Sequence, residues 1–79
     1  MARANPWDKR RIALQEALRE LREEAGMKQV DVAKKLKKHQ SYVSKYETGE
    51  RRLDLIELEQ IALALGLDLP ALVSRYQAT

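Results

Sequence analysis

A chain of 79 residues, 44% hydrophobic and 34% charged, has room for one core and one domain spanning 1–79, and enough apolar side chains to exclude disorder. It has no cysteine, which excludes disulfides and thiolate metal sites, so packing must hold the fold. The net charge of +3 is uneven: Asp8 to Ala25 sums to zero and Leu53 to Thr79 to −3, while Lys28 to Arg52 holds eight basic and three acidic residues. A basic middle of this kind reads either as a polyanion-binding face or as a solvated lysine face, and charge alone does not choose between them.

The first predicted helix runs over about residues 7–25. Asn5 is placed to cap it, Pro6 suits the first helical position, and Asp8 lies in the first turn, where the dipole favours an acid. Residues 1–5 ahead of it read as a flexible arm. Leu14, Leu18, Leu21 and Ala25 recur at helical spacing, and Gly26 follows as a left-handed stop. Trp7 reads as a cover over one end of the core, with a dimer contact as the alternative.

Gln29 to Lys37 is predicted as a short second helix with Val32, Ala33 and Leu36 inward and lysines outward. The third covers Gln40 to Thr48, and Gly49 ends it. Its inward residues are Val43 and Tyr46, whereas Gln40, Ser41, Tyr42, Ser44 and Lys45 make an outer face unsuited to a core. Asp54 with Glu57 forms a capping-box start for a fourth helix, carried by Leu58, Ile61, Ala62 and Leu65 and closed by Gly66. Asp68 caps a fifth, whose apolar stripe of Leu69, Leu72, Val73 and Tyr76 is longer than a small core needs. No β-alternation or internal repeat interrupts this pattern, so the fold class is all-α, a compact five-helix bundle. The uncharged stretch Gln60 to Leu67 is too short to span a bilayer and the N-terminus lacks a signal-peptide apolar run, so the expected location is the cytoplasm.

Two short helices joined by a tight turn, the second polar outside and flanked by basic residues, are the parts of a helix-turn-helix. From Leu18 to Val73 the chain resembles the Cro and phage-repressor type of DNA-binding domain, the XRE family. The agreement falls on Leu18, Leu21, Gly26, Gln29, Val32 and Ala33, Leu36, Val43 and Ser44, Glu47, Gly49, and Leu58 through Gly66. The resemblance implies a five-helix bundle whose third helix lies in the major groove, with Gln40, Ser41 and Tyr42 at base edges and Ser44 and Lys45 following. The chemistry suits that role, since Gln can bond adenine N6 and N7 and Lys can reach guanine or phosphate. It further implies that Gln29 touches the phosphate backbone and braces the first residue of the reading helix. Arg51 and Arg52, in the loop after that helix, and Lys35 and Lys38 on the outer side would meet phosphates, and Arg22 would pair with Glu47 in a partly buried bridge.

Three positions depart from the family pattern. Lys37 stands where the turn usually carries a Gly, at a cost on the order of 1 kcal/mol if it is left-handed. Lys28 stands where a Ser or Thr would cap the second helix, and Glu50 replaces a basic residue after Gly49.

An enzyme is disfavoured by one histidine, no cysteine, no Gly-rich phosphate loop and no acidic pair on an apolar face. His39 reads as a cap or phosphate neighbour, and neither metal nor cofactor is expected. The expected function is sequence-specific binding of double-stranded DNA by a transcriptional repressor. It would act as a homodimer on a two-fold symmetric operator, paired through Leu69, Leu72 and Tyr76. A protein-interaction module such as an antitoxin, and a restriction-modification controller, stay open. A partner groove would want exposed apolar anchors on the third helix, where Gln40, Ser41, Ser44 and Lys45 offer hydrogen bonds instead.

Overall fold

The computed structural model describes residues 6–78, and all regular structure among them is helical: α1 (Pro6–Glu24), α2 (Gln29–Leu36), α3 (Gln40–Thr48), α4 (Leu55–Ala64) and α5 (Leu69–Gln77). The expected Asn5 cap and the arm 1–5 lie outside the described residues. No described helix is long and apolar enough to cross a membrane.

Each helix boundary has a local cause. Asp68 accepts the Ala71 N–H at 2.9 Å at the start of α5, and Asp54 and Glu57 cap α4 reciprocally at 2.8 and 3.0 Å. His39 caps α3, its ring nitrogen accepting from the Ser41 N–H at 3.3 Å. At α2 the ammonium of Lys28 has no lone pair to offer, so no side chain caps the first amides; Asp31 instead accepts the Lys28 backbone N–H at 2.8 Å.

The turn between α2 and α3 is left-handed at Lys37, with φ 55° and ψ 42°, which ends α2 one residue before the predicted boundary. The Lys38 N–H reaches back to the Ala33 carbonyl at 2.9 Å, so α2 closes as a helix with a C-terminal glycine would, with a lysine in that place. Gly49, at φ 87°, holds a left-handed conformation that a side chain would strain, and a Cβ there would also displace the terminal amide of Gln15 of α1.

The core gathers Leu18 and Leu21 of α1, Val32 and Ala33 of α2, Val43 and Tyr46 of α3, Ile61 and Ala62 of α4, Leu65 and Leu72, all nearly or wholly buried. Leu14, Leu36 and Leu58 pack against it half-buried. Helix α1 packs on α3 and α5, α2 on α3 and α4, and α4 on α5. No buried side-chain nitrogen or oxygen among the described residues lacks a hydrogen-bond partner.

Three expectations are corrected here. Ala25 is exposed, because α1 has ended by Glu24 and the chain is already turning through Gly26. Trp7 does not close the core: it is 67% exposed, at the edge of a shallow groove formed with Arg10, Arg11, Leu14 and Tyr76. Leu72 is 1% exposed and is core, so it is not part of a surplus stripe. Helix α1 lies over the outer side of α5, where Arg10 stacks 4.4 Å above the Tyr76 ring and its Nε donates to the Tyr76 hydroxyl at 3.1 Å. Leu72 and one face of the Tyr76 ring are therefore covered from within the chain.

Candidate nucleic-acid interface

The placement of α3 depends on one buried carboxylate. Glu47, whose side chain is 4% exposed, faces the guanidinium of Arg22 from α1 in a two-point bridge, Nε to Oε2 at 2.7 Å and Nη2 to Oε1 at 3.0 Å. The third arm of Arg22 donates from Nη1 to the Met27 carbonyl at 3.0 Å, tying the α1–α2 connection into the same unit. The Glu47 hydrogen bond, opposed by partial burial, raises the Arg22 pKa above its ordinary value.

From that bridge a chain of amides runs outward to the surface. Gln29, in the first turn of α2, donates Nε2 to Glu47 Oε1 at 3.0 Å, and Gln40, the first residue of α3, donates Nε2 to Gln29 Oε1 at 3.4 Å. A buried ion pair thus orients a half-buried glutamine, which orients an exposed one. Ser41 and Lys45 are exposed and Ser44 half-buried, so the outward face of α3 presents an amide, hydroxyls and an ammonium.

Tyr42 departs from the outward position expected of it. Its ring packs edge-on against Tyr46 at 5.6 Å between centroids, and its hydroxyl donates to Glu57 Oε2 at 3.0 Å. Arg51 lies 4.9 Å and the Lys38 ammonium 5.4 Å from the ring centre. An amphipathic side chain on the flank of a helix buries its ring when α4 offers a carboxylate for its hydroxyl. Burial first, then Glu57, raises the Tyr42 pKa, which keeps the phenol a neutral donor.

Glu57 is a residue whose second role sequence reasoning missed. Its position predicted only the α4 cap, yet Oε1 takes the Asp54 N–H while Oε2 takes both the Tyr42 hydroxyl and Arg51 Nη2, the last at 2.6 Å. The Asp54 N–H and then Arg51 lower its pKa from the ordinary 4.5 to about 2. The 3-residue spacing to Asp54 signals the cap; nothing in the spacing signals Tyr42, 15 residues earlier.

The loop cations are therefore unequal. Arg51 is neutralised in part by Glu57, whereas Arg52 is exposed with no ion pair among the described residues. Lys35 and Lys38 border a shallow groove between α2 and α4, together with Leu36, Lys37, Gln60, Leu63 and Ala64. Leu69 and Tyr76 are half-buried. Among the described residues no cluster of His, Cys, Asp or Glu could hold a metal ion.

The sequence model of a family described as "Helix-turn-helix" matches residues 18–72. None of the curated proteins matches the chain. A solved XRE-family like protein from Pseudomonas syringae pv. tomato str. DC3000 is 42% identical, covers 90% of this chain and 87% of its own, and superposes with a TM-score of 0.82. The clp gene regulator ClgR from C. glutamicum is 25% identical over 87% of this chain and 90% of its own, with a TM-score of 0.78.

Proposed function

The chain belongs to the XRE-type helix-turn-helix family, and from that premise we propose that it is a transcriptional repressor that reads double-stranded DNA with α3 and works as a homodimer on a two-fold symmetric operator. The observation that carries this reading is the relay from the buried Arg22–Glu47 bridge through Gln29 to Gln40. A reader of base edges needs a side chain whose amide is held in place before contact, because ordering it on the DNA would cost entropy. Gln40 is so held, with its Oε1 taking no part in the relay and directed by the same amide plane. Gln40 and Ser41 would meet bases, Ser44 and Lys45 would follow along the groove, and Gln29, Lys38 and Arg52 would hold phosphates. Tyr42 and Arg51 would act by bracing each other and α4, with Arg51 keeping part of its charge for the backbone.

The regulator neighbour supports the reading for this chain, and repression by occluding polymerase needs no part beyond this domain. The test is titration of fluorescent duplexes, a selected site against random sequence, at several salt concentrations. Gln40→Ala is expected to lose about 1–3 kcal/mol of discrimination at one base pair per half-site, with random-sequence binding unchanged. Arg52→Ala is expected to weaken both duplexes equally and to lower the salt slope by about one. If Gln40→Ala keeps both the preferred sequence and its affinity, α3 is not the reader.

A further inference from the structure

Helix α4 is apolar on both sides. Its inner face, Ile61 and Ala62, lies in the core, yet Leu55, Ile56 and Leu63 are 65%, 68% and 63% exposed. At ~100° per residue, Ile56 and Leu63 fall within about 20° of each other and point directly away from the core residues. Helix α4 packs on α2 and α5, and no described helix crosses its outer face. A helix apolar all round is ordinarily covered on all sides, and large exposed apolar side chains gathered on one helix mark an interaction surface.

We infer that this face pairs with α4 of a second copy of the chain, the two helices running parallel about a two-fold axis. The orientation rests on the DNA reading above. The N-terminus of α4 is joined to α3 by the Tyr42–Glu57 contact and to the 48–52 loop by Arg51–Glu57. Two reading helices that face one duplex therefore need both α4 N-termini directed at it, which a parallel pair provides and an antiparallel pair does not.

Charge then selects a copy of this chain as the occupant. Glu59 is the one charged side chain on the outer face of α4 and lies on one flank of the Ile56–Leu63 ridge, while Gln60 lies on the other. The Gln60 flank borders the groove edged by Lys35, Lys37 and Lys38. Rotation about an axis along α4 turns the acidic flank of one protomer toward the basic flank of its partner, twice over, around a centre of leucine and isoleucine. Lys35 is thereby assigned to the partner's Glu59 and not to phosphate.

The experiment is analytical ultracentrifugation of the full chain at tens of micromolar and near-neutral pH, beside Ile56→Arg, Leu63→Arg, Glu59→Lys and the double variant Glu59→Lys with Lys35→Glu. Circular dichroism confirms that each is folded, as exposed positions allow. The wild type is expected to be dimeric, with at least about tenfold weaker dimerisation for either arginine variant. Glu59→Lys should weaken it several-fold, and the double variant should restore it. A dimer unaffected by Ile56→Arg and Leu63→Arg overturns the assignment, as does a wild type that stays monomeric with and without a duplex carrying two half-sites. Binding to a single half-site separates the two readings: the arginine variants should keep it, and its absence in the wild type would count against DNA recognition itself.

Discussion

Replacing Glu47 with alanine tests the bridge that ties α3 to α1. The carboxylate receives three hydrogen bonds, two from Arg22 and one from Gln29, and its side chain and that of Arg22 are 4% and 13% exposed. Its removal leaves Arg22 charged, nearly buried and holding only the Met27 carbonyl. Breaking a fully buried pair costs about 3–5 kcal/mol; with one carbonyl kept and some water access, the expectation here is the lower end, about 3 kcal/mol. In a domain of this size that is a lowering of the melting temperature by roughly 12–24 °C. The internal control is Arg19–Glu23, a one-turn pair at 3.7 Å with both side chains more than half exposed, for which Glu23→Ala should cost no more than about 0.5 kcal/mol. Urea unfolding at neutral pH measures both. The double replacement Arg22→Met with Glu47→Leu should recover most of the loss, since it removes the stranded charge and not only the bond. If Glu47→Ala costs as little as Glu23→Ala, the bridge is a solvated pair and cannot be what holds Gln29 and Gln40.

Lys37→Gly should stabilise the protein by about 0.5–1 kcal/mol, because relief of a left-handed Cβ, worth about 1–2 kcal/mol, exceeds the extra chain entropy of glycine; a loss of stability in urea unfolding would contradict the φ of 55°. Acid should expose Glu57. Its folded pKa of about 2 lies below the ordinary 4.5, so its contribution is complete above about 4.5 and is lost as pH falls toward 2. Chemical unfolding from pH 6 to 2 should therefore show a shallower acid decline for Glu57→Gln than for wild type, and equal slopes would place Glu57 outside the Arg51 and Asp54 contacts.

The helices were legible because their ends carry short-range chemistry. Asp54, Asp68 and the glycines at 26, 49 and 66 act within one turn of where they stand, so reading them in order recovers α3 as Gln40–Thr48 and places the others within a residue or two. The Arg22–Glu47 bridge was reached by resemblance alone. Twenty-five residues separate the partners, and neither composition nor periodicity relates them. Asp31 as the substitute cap for α2 could have been read, since an acid at the third helical position can take the cap residue's N–H whatever the cap residue is.

What stayed hidden is the identity of what covers each apolar face. The helical period of α5 gives a stripe through Leu69, Leu72 and Tyr76, but the same stripe would arise for a dimer surface and for a seat under α1. The burial of Leu72 assigns that residue to the core, and Arg10 of α1 covers one face of the Tyr76 ring. Tyr42 is the same problem on one side chain, since its ring and hydroxyl suit a groove or a core edge equally and only the position of Glu57, brought in by the folding of α4, distinguishes them. Helix α4 reverses the case. Reading its inward residues accounts for Leu58, Ile61, Ala62 and Leu65 and leaves Leu55, Ile56 and Leu63 with no protomer element over them. A periodic pattern counts faces, whereas burial counts covers. The face left over once the protomer is folded is where association has apolar surface to remove from water, and Leu55, Ile56 and Leu63 put such surface on α4.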